Sequence, residues 1–137
     1  MEINISSLKN ALSIVKESVN ILDNNSEEYL RTSLEDSLVK RFEYTLELSK
    51  KIMKKILKKF YDKQEEELTV NNIFRFMYGL NFISNPESWR NYHEKRNNTA
   101  HEYNLEKSRK LLELIPDFVK DVEELITNIE KILSVNS

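Results

Sequence analysis

The segment Arg96-Asn97-Asn98-Thr99-Ala100-His101-Glu102-Tyr103 places a guanidinium, an imidazole and a phenol within one short span. Together these groups suit a phosphodiester. Arginine neutralises and orients phosphate oxygens, and an imidazole with an ordinary pKa of about 6.5 moves protons near neutral pH. At about 100° per residue on a regular helix, Arg96 and Tyr103 share a stripe with Trp89, and Tyr92, His93 and Ala100 lie beside it. Asn97 and His101 stand one turn apart, within reach of a shared hydrogen-bond network. Arg96 and His101 fall about 140° apart, so they meet only if the helix ends near Thr99 or a second subunit completes the site. A plainer reading competes with this one. An Arg five residues before a His is a weak motif by itself, and Trp89 and Tyr92 are residue types that more often fill a core or an interface. His93 reads as a surface or packing histidine.

Other chemistries find little support. A single glycine, Gly79, rules out a glycine-rich phosphate loop, and the absence of cysteine rules out disulfides and thiolate metal sites. The two histidines, His93 and His101, fall about 80° apart on a helix, and no set of carboxylates converges on them at metal-ligand spacing. Neither a metal nor a cofactor is expected.

Positioning these residues requires helices. Leu8, Leu12, Val15, Val19 and Leu22 alternate steps of four and three, and Asp23-Asn24-Asn25-Ser26 breaks the pattern. A second, longer helix is predicted from soon after Ser26 to about Tyr61. Its apolar arc runs from Leu38 to Phe60, and Lys50, Lys51, Lys54, Lys55, Lys58 and Lys59 fill the opposite, solvated arc. Residues 62–67 read as a solvated linker. A third helix is expected from about Thr69, as N-cap, to an end at Gly79-Leu80-Asn81. Asn85-Pro86 marks the start of the fourth, which carries Trp89, Tyr92 and Arg96 and extends towards His101. Asn104 is placed to cap a last helix, in which Leu111, Ile115, Phe118, Val122, Leu125, Ile129 and Ile132 repeat every three or four residues. Pro116 should kink or break that helix. The fold expected is all-α, an antiparallel bundle of four to five helices, with residues 1–137 forming one domain.

Composition supports that outline. Of the 137 residues 32% are charged and 39% hydrophobic, the balance of amphipathic helices around one core. The net charge of −2 hides a strongly basic stretch: residues 40–63 carry nine basic and three acidic side chains. Part of the surface could therefore receive a polyanion. No signal peptide or membrane-length apolar run is visible, so a cytoplasmic protein without a membrane association is expected.

The same residues carry a family resemblance. Arg96-Asn97 followed by His101 matches the Arg-polar-x-x-x-His motif of the HEPN superfamily, and Tyr103 extends it to the form found in HEPN toxins paired with a minimal nucleotidyltransferase. Val39-Lys40-Arg41-Phe42-Glu43-Tyr44-Thr45-Leu46-Glu47-Leu48 resembles a characteristic helix of the nucleotidyltransferase substrate-binding-protein branch. Trp89 and Ile115-Pro116-Asp117-Phe118 fit that branch as well. The lysines at Lys50-Lys51 depart from it, since the branch often has an aromatic or small residue there. The resemblance, over roughly residues 5–133, implies a homodimer with two motifs facing a shared cleft and a separate minimal nucleotidyltransferase chain as partner. In an active HEPN ribonuclease, cleavage of RNA proceeds without metal. His101 would serve as general base or orient the 2′-hydroxyl, Arg96 would stabilise the phosphorane, and Asn97 would position the phosphate or hold His101. Tyr103 resembles the tyrosine that receives AMP from the partner, a modification that would block RNA by charge and bulk. The alternative implied by the branch is a non-catalytic subunit that presents substrate to the nucleotidyltransferase.

Overall fold

The first helix, α1 (Ser6–Asp23), forms where the apolar period begins. It turns Leu8, Ala11, Leu12, Val15 and Leu22 inward. Asn4 Oδ1 accepts from the Ser6 N–H at 2.8 Å and satisfies one open donor of its first turn. In this computed structural model residues 3–24, 27–100 and 105–136 are described, with the backbone alone for 98–100 and 105–108.

The spine of the fold is α2 (Glu28–Tyr61), 34 residues and hence about 50 Å long. It packs against α1, α3, α4 and α5. Its buried face includes Leu38, Phe42, Leu46, Met53, Ile56 and Leu57. Two buried hydroxyls on that face are satisfied within the helix: Thr45 Oγ1 donates to the Arg41 carbonyl at 2.7 Å and Ser49 Oγ to the Thr45 carbonyl at 2.8 Å. Asp62 ends the helix with a left-handed φ of 53°, which an aspartate tolerates. The following segment is not the open linker that its composition suggests. Glu65–Glu67 forms a 3-10 turn with a capping box between Gln64 and Glu67. Glu65 there reaches back to both Lys54 and Lys58, and those two bonds hold its carboxyl below the usual range. Part of the basic arc of α2 is thus paired within the chain.

The Thr69 side chain accepts from the Asn72 N–H at 3.3 Å and starts α3 (Val70–Gly79). The left-handed residue after this helix is Asn81, with φ 65°, and Gly79 stays in the helix. Phe82 and Ile83 then turn into the core. The loop is pinned to the last helix, where Glu124 accepts from Ser84 and Asn128 Nδ2 donates to the Phe82 carbonyl. Asn85 Oδ1 accepts from the Ser88 N–H at 3.2 Å, opening α4 (Pro86–Ala100) as the Asn-Pro pair predicts.

The C-terminal apolar stripe divides into α5 (Leu105–Leu112) and α6 (Ile115–Val135). Six α-helices are therefore present among the described residues, where four to five were expected. Pro116 has no N–H to give the Leu112 carbonyl, so the chain breaks at Glu113–Leu114 and restarts with Pro116 in the first turn of α6. The apolar stripe continues across the break, since Leu111, Ile115, Phe118, Val122, Leu125 and Ile129 are all buried. Ion pairs Lys9–Glu130 and Lys16–Glu123 run in opposite sequence directions and fix α1 antiparallel to α6. The fold is an all-α antiparallel bundle, with no strand among the described residues.

Candidate functional site

The motif helix is anchored by aromatic packing. Trp89 and Tyr92, fully buried on α4, meet Phe74 of α3, Phe42 of α2 and Phe118 of α6. Ring centroids lie 4.6 Å apart for Phe42–Phe118, 5.2 Å for Tyr92–Phe118 and 5.8 Å for Trp89–Tyr92, each edge-on. Such pairs add about 0.5–1.5 kcal/mol each beyond the area they bury. They set the rotation of α4 about its own axis. The Tyr92 hydroxyl donates to Asp121 of α6 and stays satisfied in the core. Burial and that carboxylate push the phenol above its ordinary value.

One turn beyond this anchor, the same inward stripe leaves the core and meets the polar stretch of α2. Arg96 Nε lies 3.3 Å from Glu47 Oε1. Glu47 Oε1 is also 2.8 Å from the Lys50 ammonium, which in turn is 3.0 Å from His93 Nδ1. Asn97 Nδ2 lies 3.2 Å from His93 Nε2. The site is thus a network across two antiparallel helices, with Glu43, Glu47 and Lys50 on α2 and His93, Arg96 and Asn97 on α4. Burial raises the Glu43 carboxyl, and the Arg96 guanidinium opposes that rise. Burial lowers the His93 imidazole, and the Lys50 ammonium lowers it further, which favours the neutral ring. A neutral imidazole next to a guanidinium and a carboxamide can accept, donate or relay a proton at an anionic substrate.

The structure places Arg96, Asn97, His93 and Lys50 among the residues singled out in the sequence. Arg96 lies on the inward stripe with Trp89, as its spacing from that residue predicts. Asn97, expected to bond His101 one turn ahead, bonds His93 one turn behind. His101 and Tyr103 lie outside the described residues. His93, which reads from the sequence as a surface or packing histidine, is instead the centre of the network. Lys50, which periodicity assigns to the solvated arc, is largely buried, its side chain 11% exposed. One signal for His93 was legible: it stands four residues before Asn97, the same distance that drew attention to His101. Its contact with Lys50, 43 positions away, carried no local signal.

A second feature lies elsewhere. A groove of about 700 Å³ opens between α1, α2, α5 and α6 over Val19, Leu22, Leu38, Leu112 and Val119. At its rim the buried carboxylate of Glu35 lies 3.3 Å from Arg109 Nε and 3.9 Å from Arg31 Nε. Among the described residues no group of three or more His, Asp or Glu is placed to hold a metal, and no helix is long and apolar enough to cross a membrane.

Comparison with known proteins assigns the chain. No curated protein matches it. Among solved structures, a Haemophilus influenzae protein superposes with a TM-score of 0.83 at 22% identity, covering 93% of this chain and 99% of its own. That protein is described as showing the fold of a substrate binding domain of a nucleotidyltransferase. A Thermus thermophilus protein matches with a TM-score of 0.74 at 19% identity, over 88% of this chain and 97% of its own. Both establish a shared fold. The model of the family described as nucleotidyltransferase substrate binding protein like matches residues 3–131, nearly the whole chain, and the chain belongs to that family.

Proposed function

We propose that this chain is the substrate-binding partner of a separate nucleotidyltransferase chain. The family match over residues 3–131 carries the reading. It is supported by the polar face of α2 and α4, which carries Arg96 and Asn97, with His101 four residues after Asn97 in the sequence. In this reading the protein is a cytoplasmic homodimer that binds its substrate and delivers it to the transferase. The test is co-purification with a minimal nucleotidyltransferase encoded beside it, followed by transferase assays with and without this chain. A stable complex whose nucleotidyl transfer depends on this chain supports the reading; absence of a complex refutes it.

A second reading rests on the register of Arg96, Asn97, His101 and Tyr103. Here the chain is a metal-independent endoribonuclease toxin: Arg96 stabilises the phosphorane, Asn97 positions the phosphate and His101 acts as base. The partner neutralises it by adding AMP to Tyr103, which brings negative charge beside Arg96. Purified protein should then cleave RNA in the presence of a chelator, and His101→Ala should abolish cleavage. Incubation with ATP and the transferase should add AMP mass to the wild type and none to Tyr103→Phe. Labelling that persists in the Phe variant removes Tyr103 as the acceptor.

A further inference from the structure

Both ring nitrogens of His93 face nitrogen groups. Nδ1 is 3.0 Å from the Lys50 ammonium and Nε2 is 3.2 Å from the Asn97 carboxamide nitrogen. A neutral imidazole has one donor and one acceptor, so it cannot accept at both positions; an imidazolium accepts at neither. One of the two neighbours must turn. Lys50 and Glu47 form an ion pair at 2.8 Å. An ammonium has no lone pair and can only donate, which leaves Nδ1 bare and puts the ring proton on Nε2. A carboxamide exchanges its oxygen and nitrogen by a half-turn at no steric cost. Asn97 therefore presents its oxygen to the His93 Nε2–H and its NH2 to solvent.

From this we infer that His93 is a positioning residue: clamped by Lys50 in its Nε2–H form, it aims the Asn97 NH2 outward beside Arg96, as a donor to the oxygens of a phosphate-bearing substrate. The other charged groups around the ring are consistent with this role. From α2 come Lys50 and Glu47, and from α4 come Arg96 and Glu94. Burial and Lys50 together favour the neutral ring, the state that this arrangement requires. Arg96 is held in place by Glu47, so the guanidinium and the amide are presented from fixed positions, and donors to an anionic oxygen gain most from such preorganisation. The inference rests on the reading of this α2/α4 face as a substrate site.

The test combines ring NMR with a binding titration on the full chain. In 15N-labelled protein at pH 7, His93 should show a protonated Nε2 and a bare Nδ1. Inorganic phosphate should shift the Asn97 side-chain amide resonances. His93→Leu should weaken phosphate binding roughly five- to tenfold, with an unchanged helical circular dichroism spectrum. His93→Gln should bind within about twofold of wild type, because its carbonyl can accept from Lys50 and its amide can donate to Asn97. A protonated Nδ1 in the wild type overturns the inference, as does phosphate that leaves Asn97 unperturbed or a His93→Leu variant that binds like wild type. Should His93→Leu misfold, the wild-type tautomer and the His93→Gln titration decide. Complex formation with the nucleotidyltransferase is scored separately. If the complex is absent while the tautomer and phosphate results hold, the functional reading fails and the positioning role of His93 stands.

Discussion

Tyr92→Phe removes one oxygen from the anchor of the motif helix and leaves its ring packing in place. The phenyl group keeps its contacts with Phe42, Trp89 and Phe118, so no cavity term larger than a hydroxyl arises. What is lost is the bond donated to Asp121. A hydrogen bond to an ionised group contributes about 1.5–3 kcal/mol, and Asp121 is only half-buried, so the lower end, about 1.5 kcal/mol, applies above neutrality. Burial raises the Asp121 carboxyl, and the Tyr92 bond opposes that rise. A carboxyl raised in the folded state binds its proton more tightly there than in the unfolded chain. Its ionisation therefore costs stability, and that cost develops as pH climbs from the ordinary carboxylate value through the raised one. Losing the Tyr92 bond raises Asp121 further, so the variant loses more at high pH. Once the carboxyl is protonated, the lost bond is a neutral one worth about 0.5–1 kcal/mol. Urea unfolding at about pH 8 should thus show a deficit of about 1.5 kcal/mol, narrowing to about half that near pH 4. In thermal melts of a chain of this size, the high-pH deficit corresponds to roughly 5–7 °C. An equal deficit at both pH values, or one that grows towards acid, would refute the assignment of that bond.

Other substitutions probe separate parts of the structure. Glu35→Ala removes the buried carboxylate between Arg31 and Arg109; both arginines are partly exposed and can rehydrate, so a loss of about 1–2 kcal/mol is expected, below that of a fully buried pair. Hydrogen exchange should accelerate in the 109–112 turn of α5, and unaltered protection there would argue against Glu35 as its tether. Glu47→Gln should change stability by less than about 1 kcal/mol, because the side chain is partly exposed. It should also lower the pKa of His93 further, since Glu47 is one of the groups that raise it; an NMR titration showing a higher pKa would contradict the network. Thr69→Ala should cost about 0.5–1 kcal/mol in urea unfolding through loss of the α3 cap, and no change would mean that the 3.3 Å contact contributes nothing.

Much of this architecture is decided over distances of three or four residues, which a sequence displays directly. The apolar steps from Leu8 to Leu22 and from Ile115 to Ile129 specify helices because side chains at that spacing share one face. Thr69 and Asn85 declare helix starts because their side chains bond N–H groups only three residues on. Pro116 signals a discontinuity through its missing N–H, although a kink and a full break differ only in how the neighbouring carbonyls are satisfied, and that depends on packing. The resemblance carried by Arg96, Asn97, His101 and Tyr103 was likewise a property of local spacing.

The identity of the partners in the α2/α4 network was settled by tertiary structure alone. Periodicity put Lys50 on a solvated arc because it treats each helix as if its polar face met only water. In the folded chain α4 crosses that arc at the level of Lys50 and brings His93 and Arg96 against Glu47 and Lys50. Glu65 does the same to Lys54 and Lys58 from a segment that composition marks as linker. Local sequence thus determined the helices and brought Arg96 and Asn97 to notice. Which ammonium faces which imidazole, and therefore which way the Asn97 amide points, was decided by the register of two antiparallel helices set by the aromatic packing of Trp89, Tyr92, Phe42 and Phe118. That register is a long-range property, because it depends on how rings more than 70 positions apart fit together in one core.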